Sequence, residues 1–283
     1  MQQGMKNKTI VITGANAGIG FEAAKALAAM GARVVMICRD ETRGTAAQQR
    51  ITAAGGTADL LICDFSDLGA VGKIAARLQE TYPVIDVLLN NAGAINGSRL
   101  LSKDGYELSF AINHLAPFLL TLTLLPHLGK NKCRIINTAS MAHFMGHINF
   151  DDIQSKQKYG EMSAYAQSKL ANILFTYSLA RRLKGSQVTV NCLHPGVVRS
   201  NFASGGSIFS RLFYIAAGPI MINAAKGSRT SVFLCSSADV EGISGAYFSK
   251  CKAVKSSKES YDTAVQEKLW DLSLHLTGIS NPV

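Results

Sequence analysis

Thr13-Gly14-Ala15-Asn16-Ala17-Gly18-Ile19-Gly20 closes the apolar run Thr9–Thr13 and opens the helical pattern Ile19–Met30. Scattered glycines match such a pattern by chance. A strand directly before and a helix directly after turn it into a loop suited to hold a phosphate. Glycine lets backbone N–H groups approach a pyrophosphate closely, and the start of the helix adds positive potential. Gly14, Asn16, Gly18, Ile19 and Gly20 are therefore candidate dinucleotide contacts.

Outward from this loop, short β-branched runs alternate with longer helical patterns. Thr9–Thr13, Arg33–Cys38, Ala58–Cys63, Val84–Asn90, Cys133–Thr138, Val188–Leu193 and Gly245–Phe248 read as seven strands. Most are apolar along their whole length, as strands are when helices cover both faces of a parallel sheet. The patterns between them predict helices over Glu41–Ala54, Leu68–Thr81, Gly105–Leu128, Ser163–Lys184 and Ala224–Ser236, with a last one over Ser260–Leu276. Repeated βαβ units imply a doubly wound α/β Rossmann fold with a seven-stranded parallel sheet, its ligand beyond the carboxyl ends of the strands. No linker or repeat interrupts the 283 residues, so they read as one domain, 1–283. The helices around Phe110–Leu125 and Leu170–Leu183 are apolar over more than one stripe, which suits packing on a partner copy as well as on the sheet.

The cofactor follows from the second strand. Roughly 20 positions past the last glycine, a dinucleotide fold places the residue that reads the adenine ribose. Arg39 stands there, and a guanidinium pairs with a 2′-phosphate through parallel hydrogen bonds, which selects NADP over NAD. Asp40 beside it is an acid that could approach a 2′-hydroxyl or orient Arg39.

Tyr165-Ala166-Gln167-Ser168-Lys169 sets a phenol and an ammonium on one face of a helix. A nearby cation favours the phenolate and makes such a pair fit for proton transfer at neutral pH. With the phosphate loop upstream, the pair points to hydride transfer with a tyrosine as proton donor.

These motifs resemble the short-chain dehydrogenase/reductase family over nearly the whole chain. The resemblance includes Asn90-Asn91-Ala92-Gly93, Asn113, Ser140, Tyr165-x-x-x-Lys169 and Pro195-Gly196-Val197-Val198-Arg199-Ser200. Cys38-Arg39-Asp40, Asn113-His114-Leu115, the insert Ala142–Met162 and Gly-Ala-Tyr-Phe-Ser-Lys-Cys over Gly245–Cys251 look like the retinol dehydrogenase group within it.

The resemblance implies roles. Tyr165 exchanges the alcohol proton, and Lys169 lowers its pKa and binds the nicotinamide ribose. Ser140, the sole serine of its segment, bonds the substrate oxygen. Asn113 holds a water linking Lys169 to solvent. Asp64 contacts the adenine, Asn90, Ala92 and Gly93 line its ribose or pin the sheet, and Pro195 and Val198 meet the nicotinamide. The implied reaction interconverts an alcohol and an aldehyde or ketone on a lipophilic, retinoid-like substrate. A steroid or pigment reductase, and a non-catalytic NADP(H)-sensing or scaffold protein, are the competing readings.

Composition limits the rest. The net charge of +10 suits anionic partners, and Lys250, Lys252, Lys255 and Lys258 read as a solvated loop, with contact to acidic lipid headgroups as the alternative. No nucleic-acid module accompanies the charge. Cys38, Cys63, Cys133, Cys192, Cys235 and Cys251 form no metal-binding spacing and read as reduced thiols. His143 and His147 lack supporting ligands, so no metal is expected, and His114 and His194 read as residues of packing or local hydrogen bonding. Eight residues precede the first strand, and the longest apolar runs fall short of the roughly 20 that a spanning helix requires. A cytoplasmic protein, soluble or peripheral to a membrane, is expected, with the apolar segment 205–223 as a substrate lid.

Overall fold

The apolar strands divide their side chains between two cores. Val11, Val35 and Ile37 point to one face of the sheet, and Ile10, Ile12, Val34 and Met36 to the other, all fully buried. Each such side chain contributes about 1.5–3 kcal/mol by leaving water. The computed structural model describes residues 4–198 and 221–283. Among them are eight strands: β1 (Thr9–Thr13), β2 (Arg33–Cys38), β3 (Thr57–Ile62), β4 (Val87–Asn90), β5 (Cys133–Thr138), β6 (Val188–His194), β7 (Tyr247–Ser249) and β8 (Lys252–Val254). Their order is β3-β2-β1-β4-β5-β6-β7-β8. All neighbours are parallel except the last pair.

That last pair corrects the expectation of seven parallel strands. The basic stretch read as a loop contains β8, which folds back antiparallel on β7 with Ser249 opposite Lys252. Lys250 and Cys251 form the two-residue turn at φ 50° and 61°. Left-handed backbone at both positions is what a tight hairpin requires, but asparagine and glycine normally supply it. Lysine and cysteine give no such signal.

The helices are α1 (Gly18–Ala29), α2 (Glu41–Ala53), α3 (Leu68–Thr81), α4 (Leu108–Leu128), α5 (Glu161–Arg182), α6 (Ala224–Gly227), α7 (Arg229–Ser236) and α8 (Thr263–Thr277). α3, α4, α5 and α8 cover one face; α1, α2 and α7 cover the other. The chain winds outward from β1 in both directions, so the carboxyl ends of β1 and β4 form the switch point where a doubly wound sheet takes its ligand.

α4 is long and apolar enough to cross a membrane by composition, yet 89% of its most apolar window is buried inside the fold. Pro117 does not break it. A π-turn over Ala111–Leu115 precedes the proline, with Ala116 N–H donating to Ala111 O, and the helix continues.

The second apolar stripe of α4 and α5 is covered within the chain. Trp270 of α8 lies edge-on to Phe118 at 5.3 Å and packs 6.0 Å from Phe175. The stripe that the sequence offers to a partner copy is thus filled by the chain's own last helix. The segment 205–223, expected as a lid, lies outside the described residues except for Met221, Ile222 and Asn223. Ile222 bridges Val198, and Asn223 caps α6. All six cysteines are free, and burial raises the Cys38 thiol to about 11 and Cys63, Cys192 and Cys235 to about 12.

Candidate active site

The phosphate loop is shaped by close approach. Gly14 and Gly18 adopt φ 68° and 56°, a region that glycine enters without strain. A Cβ on Gly20 would collide with Gly14 O and with the Asn91 side chain, so the third glycine lets α1 pack against the loop. Ala17 precedes α1 and supplies no capping side chain. The first N–H groups of α1 therefore face outward at the positive end of the helix, an arrangement that fits a pyrophosphate.

The β4 end is stitched to this loop. Thr13 Oγ1 accepts from the backbone N–H groups of Asn91 and Ala92, each at 2.9 Å, and Asn91 Nδ2 donates to Thr13 O at 2.9 Å. The motifs alone give Thr13 no such role. The Asn90 amide points inward, donating to Thr121 Oγ1 and Asn137 Oδ1. Ala92 and Gly93 remain partly exposed at the mouth.

Beyond β2, Arg39 is exposed and makes no ion pair among the described residues. Asp40 has other work. Its carboxylate caps α2 by accepting from Arg43 N–H at 2.9 Å and pairs with Arg43 Nε at 3.0 Å. These contacts hold its carboxyl below the usual range, the backbone hydrogen bond from Arg43 first among them. Past β3, Asp64 accepts from the backbone and hydroxyl of Ser66, which fixes its loop.

α5 carries the proposed proton donor past the end of β5. Lys169 is buried, and its Nζ donates to Thr138 O at 3.0 Å, where Asn172 Nδ2 also donates at 3.3 Å. The same Nζ lies 5.7 Å from the Tyr165 ring centre. Burial lowers the Lys169 pKa to about 8, and no carboxylate pairs with it among the described residues. Two residues past Thr138, Ser140 Oγ accepts from Ala142 N–H at 3.2 Å, which leaves its own proton to point elsewhere. The turn Met141–Met145 then descends onto α5. Only glycine fits at 146, because a Cβ there would stand 2.6 Å from Ala166 O.

Asn113 sits in the π-turn, where such irregularities often serve a site. Its Oδ1 accepts from Ala94 N–H at 2.7 Å, and its Nδ2 donates to Ala94 O and Ser168 Oγ, each at 2.9 Å. It thereby clamps the β4 loop to α5 one residue from Lys169. At the far side, Gly196 at φ 95° lets the chain turn after Pro195, and Val198 packs against Gly227. Arg199 and Ser200 lie outside the described residues.

Two histidines contact the Ser140 segment: His143 Nδ1 lies 2.6 Å from Ser140 O, and Met141 N–H donates to His194 Nδ1, a local hydrogen bond of the kind expected for His194. The His194 contact forms only when β6 and the turn after β5 come together, whereas His143 reaches Ser140 from three residues along the same turn.

A Rossmann sheet, an uncapped glycine loop at its switch point and a Tyr165/Lys169 helix at the same edge define a nucleotide-dependent oxidoreductase fold. The profile of the short chain dehydrogenase family matches residues 8–206, and the chain belongs to that family. It is 42% identical to retinol dehydrogenase 14 of Mus musculus, over 97% of this chain and 87% of that protein. A solved structure from Mycobacterium paratuberculosis superposes with a TM-score of 0.83 at 32% identity, covering 100% of this chain and 97% of that one. A short chain dehydrogenase from Burkholderia cenocepacia, solved in complex with NADP, gives 0.70 at 27% identity, covering 87% and 96%.

Proposed function

We propose that this chain is an NADP(H)-dependent oxidoreductase that interconverts an alcohol and an aldehyde or ketone on a lipophilic, retinoid-like substrate. The observation that carries the reading is the placement of a buried ammonium, Lys169, with no carboxylate partner among the described residues, beside Tyr165 at the sheet edge where α1 presents its uncapped start. Bound there, the dinucleotide would supply or accept the hydride. Tyr165 gives the proton to the substrate oxygen, Lys169 favours the phenolate left behind, and Ser140 donates a hydrogen bond to that oxygen as charge grows on it. Asn113 keeps the β4 loop and α5 in register. The names of the retinol dehydrogenase relatives support the substrate class, and so does the apolar rim after Ser140. Met141, Phe144, Met145 and Met162 are 51%, 54%, 68% and 41% exposed, far more than folding alone requires. The exposed lysines of 250–258 would meet anionic headgroups if such a rim rests on a membrane. Any homo-oligomer must use a surface other than the stripe that α8 covers.

NADPH oxidation screened across straight-chain aldehydes, steroids and all-trans-retinal tests the reading. Catalytic efficiency, kcat/KM, should rise with each added methylene over several carbons, and a flat series would refute a lipophilic pocket.

Cofactor selection should rest on Arg39, since Asp40 is committed to α2 and Arg43. In Arg39→Ala, the lost bonds to a 2′-phosphate are each worth about 1.5–3 kcal/mol. NADPH affinity should fall tens-fold while NADH affinity stays nearly constant in fluorescence titrations. An equal loss for both would remove Arg39 as the selector.

A further inference from the structure

The peptide that joins Ser140 to Met141 is held at both edges by imidazoles. His143 Nδ1 lies 2.6 Å from Ser140 O. A carbonyl only accepts, so the proton of that bond sits on Nδ1. The other ring nitrogen, Nε2, accepts from Ser257 N–H at 3.1 Å, which requires it to be bare. His143 is therefore the neutral Nδ1–H tautomer. On the opposite edge, Met141 N–H donates to His194 Nδ1 at 3.1 Å, so His194 carries its proton on Nε2.

Ser140 C=O and Met141 N–H belong to one planar unit and point in opposite directions. Gripping both ends fixes the plane, and with it the direction in which Ser140 leaves the chain. The His143 ring is fully buried, 4.0 Å from the Phe144 ring and 4.9 Å from that of Tyr247. Burial holds His143 below the ordinary imidazole range and His194 at about 4, aided in the latter by its neighbour His143. The neutral forms that the contacts require are thus the forms the fold favours.

We propose that His143 and His194 are positioning residues for the reaction, which aim the Ser140 hydroxyl by clamping the Ser140–Met141 peptide plane. The inference rests on the reading of Ser140 as donor to the substrate oxygen. Ser140 Oγ accepts from Ala142 N–H, so rotation of the plane would turn both the acceptor and the free proton away from the mouth. Neither ring exchanges a proton. Through Ser257 the grip also depends on the chain just past β8, 114 positions away in sequence.

The experiment uses the full chain with NADPH and decanal as reporters. His143→Phe keeps an aromatic ring and removes both side-chain hydrogen bonds, leaving at Ser140 O only the backbone bond from residue 143 N–H at 3.1 Å. It should lower kcat about tenfold with KM for NADPH unchanged, a loss comparable to one misdirected hydrogen bond. His143→Gln restores a donor and an acceptor and should recover part of the rate. In a Ser140→Ala background, His143→Phe should cost less than about twofold, because a group acting through Ser140 has nothing left to aim. Equal losses in both backgrounds would overturn the clamp and leave the role of Ser140 standing. If Ser140→Ala alone costs nothing, the reading of Ser140 falls and the clamp with it. Independently of turnover, ring-nitrogen NMR near neutral pH should find the proton on Nδ1 of His143 and on Nε2 of His194. The opposite tautomer on either ring overturns the proposal.

Discussion

Tyr165→Phe should lower kcat by about 10²–10⁴-fold, the usual worth of a positioned proton donor, while the fold and NADPH affinity are unchanged. The substitution removes one oxygen from a half-buried side chain on α5, so little packing is lost. What disappears is the hydroxyl proposed to give a proton to the carbonyl oxygen. Lys169 is held back from that role by its hydrogen bond to Thr138 O. A buried ammonium without a carboxylate is costly, and the fold gains nothing from keeping it. Its charge is present below about pH 8 and lost above. The folded pKa lies below the unfolded 10.5, so the penalty on stability is full below about 8 and is released as pH rises toward 10.5. Lys169→Met should therefore leave stability equal or higher at neutral pH while turnover falls. The check is single-turnover kinetics beside thermal melts. A Tyr165→Phe enzyme that retained more than about a tenth of its rate would move acid catalysis to another group.

The parts of the site that are legible in the sequence are those made by neighbours along the chain. The phosphate loop shows in Thr13–Gly20 because strand, turn and helix follow one another there, and Tyr165 and Lys169 meet because four residues make one helical turn. α3 appears where the periodicity of Leu68–Thr81 placed it, with Asp67 as its cap. What could not be read is made by contacts across the fold. Thr13 holds Asn91 from 78 positions away, and His143 meets Ser257 only once β7 and β8 fold back. The hairpin itself was hidden because its turn uses Lys250 and Cys251 rather than residues suited to positive φ. The helix predicted over Gly105–Leu128 does run through Pro117, but periodicity carries no mark of the π-turn that precedes it. By sequence Asp40 rivals Arg39 for the ribose, whereas in the fold its carboxylate caps α2.

The second stripe on α4 and α5 leads to the last expected result: Trp270→Ala should cost about 3–5 kcal/mol and lower Tm by roughly 5–15 °C. Trp270 is 2% exposed and makes two ring–ring contacts and one cation–π contact. Its indole meets Phe118 at 5.3 Å and Phe175 at 6.0 Å, and the Arg182 guanidinium lies 4.2 Å above its ring. Arg182 also pairs with Glu267, so one residue of α5 holds α8 both through the indole and through a carboxylate. Truncation to alanine leaves a cavity beside Phe118 and loosens that helix, exposing an apolar face that α4 and α5 cannot shed. The intact chain should scatter light without using this face, whereas the variant should self-associate as concentration rises. Trp270→Phe separates the contributions. It retains most of the ring contacts and removes an indole N–H that has no hydrogen-bond partner, so its loss should be much smaller than that of alanine. Denaturant melts of the three proteins decide the matter. A Trp270→Ala chain within about 1 kcal/mol of the parent would mean that α8 is not what closes the stripe.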